Sequence, residues 1–424
     1  MSLVEELRWR GMIQDITPGT EEQLNKEKTL GYVGFDPTAD SLHIGNLVPI
    51  MLLVHLQRAG HQPIALVGGA TGLVGDPSGK TAERQLLSKE LIEHNLEAQK
   101  KQLKRFLDFN ADENPAQVVN NYDWFKEFGF LEFIRDVGKH ISVNYMMAKE
   151  SVKNRLENGM SFTEFSYQLI QGYDFYHLNK HNNVKIQMGG SDQWGNITTG
   201  TELIRRMGGG EAYALTAPLI KKADGTKFGK SEGGNVWLDA ERTSPYKFYQ
   251  YWLNSSDEDA EKYIKIFTLL DKTTIDTLLA EHSENPGARA LQKRLAEEVT
   301  LTVHGEEALH TAIAATNILF GKGATREMLE SLSDNDFLSV FEGVGQAEIN
   351  KSKVEGMGII DLLVSETGFL KSNGEARRAL KENSVAVNQS KVNEEFFITS
   401  SELINGKYIL LQRGKKNKFL VRFV

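Results

Sequence analysis

Cysteine is absent from the 424-residue sequence. That excludes disulfides, a thiolate metal site and a cysteine nucleophile, and it suits a reducing compartment, so a cytoplasmic protein is expected. Long apolar runs are missing too. No stretch approaches the roughly 18 residues that cross a bilayer, and no membrane partner is expected. The first ten residues mix Glu5 and Glu6 with Arg8 and Arg10 and hold no signal-peptide core. Positive charge is in short supply, with a net of −8. The shortage is uneven, because residues 351–424 carry 13 Lys and Arg against 8 Asp and Glu, leaving −13 on the rest. A basic tail on an acidic body suggests an appended module with a polyanionic partner, although a solvated charged surface accounts for the charge equally well.

What is present fits a globular chain, with 40% hydrophobic and 25% charged residues. The length exceeds one ordinary core, so several domains are expected. Residues 1–244 alternate strands with helical patterns. Strands are expected at Leu30–Phe35, Pro63–Val67, Gln117–Asn120 and Val184–Met188. Helices are expected at Leu42–Ala59, Ser88–Phe109, Tyr122–Arg135, Ser142–Glu157 and Gln193–Met207. This alternation predicts a Rossmann-like, doubly wound α/β parallel sheet. Residues 245–320 are helical in period, with breaks near Ser255, Asp271 and Asn285-Pro286-Gly287. Residues 321–356 are polar and weakly patterned, as a linker would be. Residues 357–424 read as a small α+β module.

Two segments suit phosphate chemistry. Gly34 to Asn46 follows a strand and opens a helix, a junction where backbone N–H groups and the helix dipole favour an anion. Thr38 and His43 add side-chain donors, and Gly45 permits close approach. A lone His at a helix start is usually a cap or surface residue. The second segment, Ala223 to Ser231, is a glycine-rich loop carrying Lys227 and Lys230, able to close over a pyrophosphate. Taken alone it reads more simply as a basic surface loop. Together they resemble the HIGH and KMSKS signatures of class I aminoacyl-tRNA synthetases, here His43-Ile44-Gly45-Asn46 and Lys227-Phe228-Gly229-Lys230-Ser231. Asn46 stands in for the second histidine, with an amide N–H to donate in its place. Gly75 to Thr81 imitates a P-loop, but only three residues separate Gly75 from Gly79 where four are required.

A dispersed polar set narrows the substrate. Tyr167, Gln171 and Asp174 recur at i, i+4 and i+7, which places them on one helix face. Tyr32 lies on the first of the strands, Asp76 beyond the second, and Gln187 to Asn196 spans a strand end and a helix start. This set, with Tyr122-Asp123-Trp124 and Val143 to Met147, is similar to the tyrosyl-tRNA synthetase family across nearly all of the catalytic half.

The resemblance implies a mechanism and roles. Tyrosine's carboxylate attacks the α-phosphorus of ATP, giving tyrosyl-adenylate and pyrophosphate, and the tRNA 3′ end then takes the tyrosine. Tyr32 and Asp174 would bond the phenol. Asp76, Tyr167 and Gln171 would hold the ammonium group, and Gln193 the carboxylate. ATP would meet Gly34, Asp36, His43, Gly45, Asn46, Asp192, Lys227 and Lys230. The catalytic charge would come from Thr38, His43, Lys80, Arg84, Lys227 and Lys230. Mg2+ would accompany ATP, with no dedicated protein metal site. Val33 replaces a cysteine that contacts the ribose in some relatives, so a weaker ribose grip is expected.

Toward the C-terminus, Asp361-Leu362-Leu363, Lys371 to Leu380 and Val385 to Asn388 resemble an S4-type RNA-binding domain. Arg377, Arg378, Lys415 and Lys416 are its candidate contacts to tRNA(Tyr). The family also implies a homodimer, joined through residues 125–162. Two rivals stand beside this reading. A tryptophanyl-tRNA synthetase shares the architecture, but it lacks an S4-like tail and needs no phenol site. A non-catalytic RNA-binding protein on the same scaffold would not need His43, Asp192, Lys227 and Lys230.

Overall fold

Leu30–Phe35 and Gln117–Asn120 form strands at the expected residues, and the strand at Pro63 begins one residue earlier. The computed structural model describes residues 1–78, 86–156, 159–226, 228–231, 234–320, 325–341, 344–414 and 417–424. Its main sheet holds β1 (Asp15–Ile16), β2 (Leu30–Phe35), β3 (Gln62–Val67), β4 (Gln117–Asn120), β5 (Val184–Gly190) and β6 (Tyr213–Ala217). They lie in the order β1-β6-β5-β2-β3-β4. Strands β2 to β6 pair in parallel, and β1 runs antiparallel at the edge. Pro63–Val67 is buried throughout, as a parallel strand covered on both faces requires. This is the doubly wound sheet that the alternation predicts. The pattern gave no notice of β1, which is two residues long, or of β6.

The winding places the site. From β2 the chain steps outward to β3 and β4, then returns so that β5 lies on the other side of β2. That reversal opens a crevice at the carboxyl ends of β2 and β5, where open α/β sheets bind ligands. Tyr32 sits opposite Gln187 of β5 and Ile64 of β3.

Local chemistry sets the helices. The expected helix at 42–59 starts later, as a 3-10 turn Ile44–Asn46 running into Leu47–Arg58, because His43 is held extended as its cap. Gly60, at φ +88°, ends it. Ser88 caps Lys89–Leu103, and Ser161 caps the long helix Phe162–Asn182, which stops at Asn183 with φ +54°. Two expected helices are broken. Residues 122–135 split into Tyr122–Phe125 and Phe130–Asp136 around an extended Gly129, and residues 142–157 split into Val143–Met147 and Glu150–Leu156.

The chain forms two compact units, Met1–Asp239 with Trp252–Val303, and Ala240–Tyr251 with His304–Val424. The helical stretch 245–320 is therefore shared between them. The second unit has a five-stranded sheet, ordered Ser390–Lys391, Val385–Val387, Tyr408–Arg413, Asn417–Phe423 and Gly345–Ile349. Ile409 and Leu411 pack with Leu362, Ala376 and Leu380. Tyr408 and Leu410 pack with Leu329, Phe337 and Phe341. The alternation along Tyr408–Arg413 thus feeds two cores, one on each sheet face. This corrects the linker expected at 321–356. Its described residues form helices Arg326–Glu330 and Asp334–Val340 and an edge strand parallel to Asn417–Phe423. Its few apolar residues are spaced to bury against the sheet, a signal that its polar composition hides.

Candidate active site

A cavity of about 820 Å³ opens at the carboxyl ends of β2 and β5. Its walls include Tyr32, Gly34, Asp36 and Thr38 from β2 and the turn after it, then His43, Gly45 and Asn46. Asp76 adds to them, with Tyr167, Gln171 and Asp174 from helix Phe162–Asn182, and Asp192 and Gln193 beyond β5. The helix stripe read from the sequence therefore does face this cavity. Lys230 is exposed and does not line it. Lys80, Arg84 and Lys227 lie outside the described residues, as do Lys415 and Lys416 in the C-terminal module.

One end of the cavity centres on a buried carboxyl. Asp174 Oδ2 accepts from Asn121 Nδ2 at 3.0 Å, and Oδ1 accepts from Trp124 Nε1 at 2.9 Å. Burial pushes its pKa up to about 8, while these two donors pull it down. Tyr32 is 1% exposed, and its hydroxyl has no hydrogen-bond partner among the described residues. Burial, and then the charge of Asp174, raise its pKa well above the ordinary phenol value.

Two further carboxylates follow. Asp36 Oδ2 accepts from the Tyr167 hydroxyl at 2.8 Å and its Oδ1 from Thr71 at 2.7 Å. Asp76 accepts from Gln193 Nε2 at 2.8 Å and from the Ser78 backbone N–H at 2.9 Å. Gln193 Oε1 in turn accepts from Asn196 at 3.2 Å. Burial and the nearby Asp76 raise the pKa of Asp192. Gln171 Oε1 and Gln187 Oε1 are buried without partners among the described residues. The result is a sleeve of acceptors suited to a ligand that brings donors.

The other end is built on the His43 turn. His43 Nδ1 accepts from the Gly45 N–H at 3.0 Å, which puts the ring proton on Nε2. Asn46 Oδ1 accepts from the His43 N–H at 3.0 Å, so its amide nitrogen is the end left to donate. A Cβ on Gly45 would lie 2.7 Å from the His43 ring, so the cap itself requires glycine there. The segment after the lysine loop, residues 236–238, is pinned to this turn, and its Val236 N–H donates to Gly229 O of the loop at 3.0 Å. The Ile44 N–H donates to Val236 O at 3.0 Å and the Leu238 N–H to Leu42 O at 2.8 Å, with His43 and Trp237 paired between them. Gly229, at φ +89°, comes within 3.6 Å of the Gly45 nitrogen by its would-be Cβ. Phe228 is buried, stacked on Phe267 at 5.3 Å and near Tyr263 at 5.1 Å.

Residues 24–321 match the family described as "tRNA synthetases class I (W and Y)". Residues 336–421 match the tyrosine–tRNA ligase SYY-like C-terminal domain. The chain belongs to the tyrosyl-tRNA synthetase family. It is 64% identical to the tyrosine–tRNA ligase of Flavobacterium johnsoniae, covering 100% of both chains. It is 60% identical to that of Bacteroides thetaiotaomicron, covering 99% of both. A C-terminally truncated mitochondrial tyrosyl-tRNA synthetase from Aspergillus nidulans superposes with a TM-score of 0.68 at 30% identity, over 75% of this chain and 94% of that one. A tryptophanyl-tRNA synthetase from Encephalitozoon cuniculi shares the fold at a TM-score of 0.52 and 12% identity, over 72% of this chain and 87% of that one.

As a class I tyrosyl-tRNA synthetase, the chain is a tyrosine–tRNA ligase that takes ATP as a substrate. No described helix is long and apolar enough to cross a membrane. Sequence reasoning gave no site role to four of the residues that shape this site, although Trp124 lies in the family-like Tyr122-Asp123-Trp124. Asn121 and Trp124 hold Asp174, Thr71 holds Asp36, and Trp237 pairs with His43. Asn121, just past the end of β4, was the one open to discovery, since side chains at strand ends of such sheets face the crevice. In the C-terminal module Arg377 and Arg378 are both exposed, and Arg377 is paired with Glu394 at 3.0 Å.

Proposed function

We propose that this cavity performs both steps of tyrosine ligation with the following division of labour. The phenol of L-tyrosine lies between Tyr32 and Asp174. Its ammonium group meets Asp76, Tyr167 and Gln171, and Gln193 orients its carboxylate. Asp192 takes the ATP ribose. The phosphates lie over the turn from Gly34 and Asp36 to Thr38, His43, Gly45 and Asn46. Lys80, Arg84, Lys227 and Lys230 neutralise the departing pyrophosphate, and Mg2+ travels with ATP. The tyrosine carboxylate is already ionised, so activation needs alignment and charge stabilisation rather than a base.

The observation that carries this reading is the unpartnered Tyr32 hydroxyl beside the Asp174 carboxyl. A buried hydroxyl without a bond costs about 1–3 kcal/mol, which is tolerable where a ligand hydroxyl completes the pair. Phenylalanine would leave both groups unmatched. Tyrosyl enzymes are themselves the familiar example of such rejection, about 10⁵ against phenylalanine without editing. ATP–pyrophosphate exchange without tRNA, run with tyrosine, phenylalanine and tryptophan, tests the reading. Exchange with tyrosine that collapses toward the phenylalanine rate in Asp174→Asn is expected. Exchange with tryptophan would overturn the pocket.

The C-terminal module is proposed as the anchor for tRNA(Tyr) in the cytoplasm, with Arg377, Arg378, Lys415 and Lys416 as its contacts to RNA phosphates. A homodimer is proposed through residues 125–162. In support, Phe130 is 65%, Leu131 79% and Phe162 68% exposed, with Ile134 and Val143 also uncovered. Large apolar side chains concentrated so mark an interface rather than a solvated surface.

A further inference from the structure

Asp174 and His177 are three residues apart on helix Phe162–Asn182, so both point to the same face. The Trp124 indole lies across the two. Its Nε1–H reaches Asp174 Oδ1 at 2.9 Å, and its ring stacks on the His177 imidazole with centroids 4.5 Å apart and planes 14° apart. His181, one turn further on, backs the imidazole at 4.6 Å. Trp124 itself sits on a four-residue helix, Tyr122–Phe125. So short an element restrains an indole weakly by itself. The other carboxyl oxygen needs no such support, because its donor Asn121 follows β4 directly.

We infer that His177 is a positioning residue for tyrosine recognition, its ring plane fixing the Trp124 indole so that the N–H aims at Asp174. A flat neutral ring suits the task. Burial, and then His181, hold the His177 pKa down to about 4, so the imidazole is uncharged at neutral pH. A cation there would compete with the indole for the carboxylate. Remove the ring and the indole can turn about its side-chain bonds. Asp174 then loses one of two donors, and its carboxylate is held less firmly toward the phenol. The inference rests on the proposal that Asp174 receives that phenol.

The test uses the full chain with ¹⁵N-labelled indoles. There are five tryptophans, so Trp124→Phe identifies the Trp124 N–H by subtraction. In His177→Ala that N–H should shift and exchange with water at least about tenfold faster, the scale of one lost hydrogen bond. The tyrosine/phenylalanine ratio of kcat/KM should fall roughly tenfold for the same reason, mainly through KM for tyrosine. His177→Phe keeps a flat ring and should restore both. A role in bulk packing would change melting temperature without moving the indole N–H. If His177→Ala leaves the N–H and the ratio unchanged, or if a folded His177→Phe restores neither, the assignment falls. Asp174→Asn, run alongside, separates the two ideas. An unchanged ratio there overturns the phenol reading itself, whereas a reduced ratio there with no effect at His177 overturns only this inference.

Discussion

Asp174 accepts two hydrogen bonds, yet burial raises its pKa from 3.8 to about 8. The folded chain therefore holds this proton more tightly than the unfolded chain does. The resulting stability is fully present below the unfolded value and is lost as pH rises through about 8. Asparagine cannot titrate. Melting temperatures of Asp174→Asn and the parent should thus diverge with pH, the variant gaining by several degrees between pH 5 and pH 9. One donor left facing the new amide adds a pH-independent cost, so the slope rather than the offset is the readout. A flat difference across that range would mean the carboxyl is ionised throughout. Tyr32→Phe gives a second test with opposed signs. It removes a buried unpartnered hydroxyl, so thermal stability should hold or rise, while kcat/KM for tyrosine falls roughly tenfold.

At the scale of elements, the lysine loop is held at two ends. Val236 bonds both Gly229 of the loop and Ile44 of the His43 turn, and the Phe228 ring is buried among Trp252, Tyr263 and Phe267. Phe228→Ala should release the second anchor. Single-turnover adenylate formation is expected to slow between about ten- and hundredfold, the scale of a small misplacement of catalytic groups. The KM for tyrosine should change little, since Tyr32 and Asp174 are untouched. A large KM effect with an unchanged rate would show that Phe228 supports the tyrosine end instead. The broken helices at 122–135 and 142–157 belong to this scale too. Their periodicity is helical, but the first breaks at the extended Gly129 and the second after Met147, where the helix Val143–Met147 ends at Ala148.

For the whole molecule, the two units suggest a dissection that leaves only residues 240–251 and 304–320 of the second unit on the first. The first closes at Val303, and the C-terminal sheet depends on the strand Gly345–Ile349. A chain ended near residue 320 should keep tyrosine-dependent pyrophosphate exchange and lose tRNA charging. A chain ended at residue 356 would strand that edge strand without its partner and should aggregate more readily. Normal charging by the shorter chain would remove the C-terminal module as the tRNA anchor. Leu131→Asp, at a side chain 79% exposed, should yield a monomer by sedimentation if residues 125–162 join two copies. An unchanged sedimentation coefficient would leave those apolar residues unexplained.

The sequence by itself determined the doubly wound sheet, because strand–helix alternation and buried apolar runs are local properties of the chain. It also determined the family, through the His43 and Lys227 segments and the stripe Tyr167, Gln171, Asp174, which helical spacing alone puts on one face. Tertiary structure decided what depends on residues far apart in the chain. Asn121 and Trp124 carry no periodic signal, and only the crevice between β2 and β5 makes them partners of Asp174. The link through Val236 between the lysine loop and the His43 turn is likewise invisible until the backbone hydrogen bonds form. So is the place of Gly345–Ile349 in the second sheet, since a polar edge strand is defined by the strand it pairs with and not by its own composition.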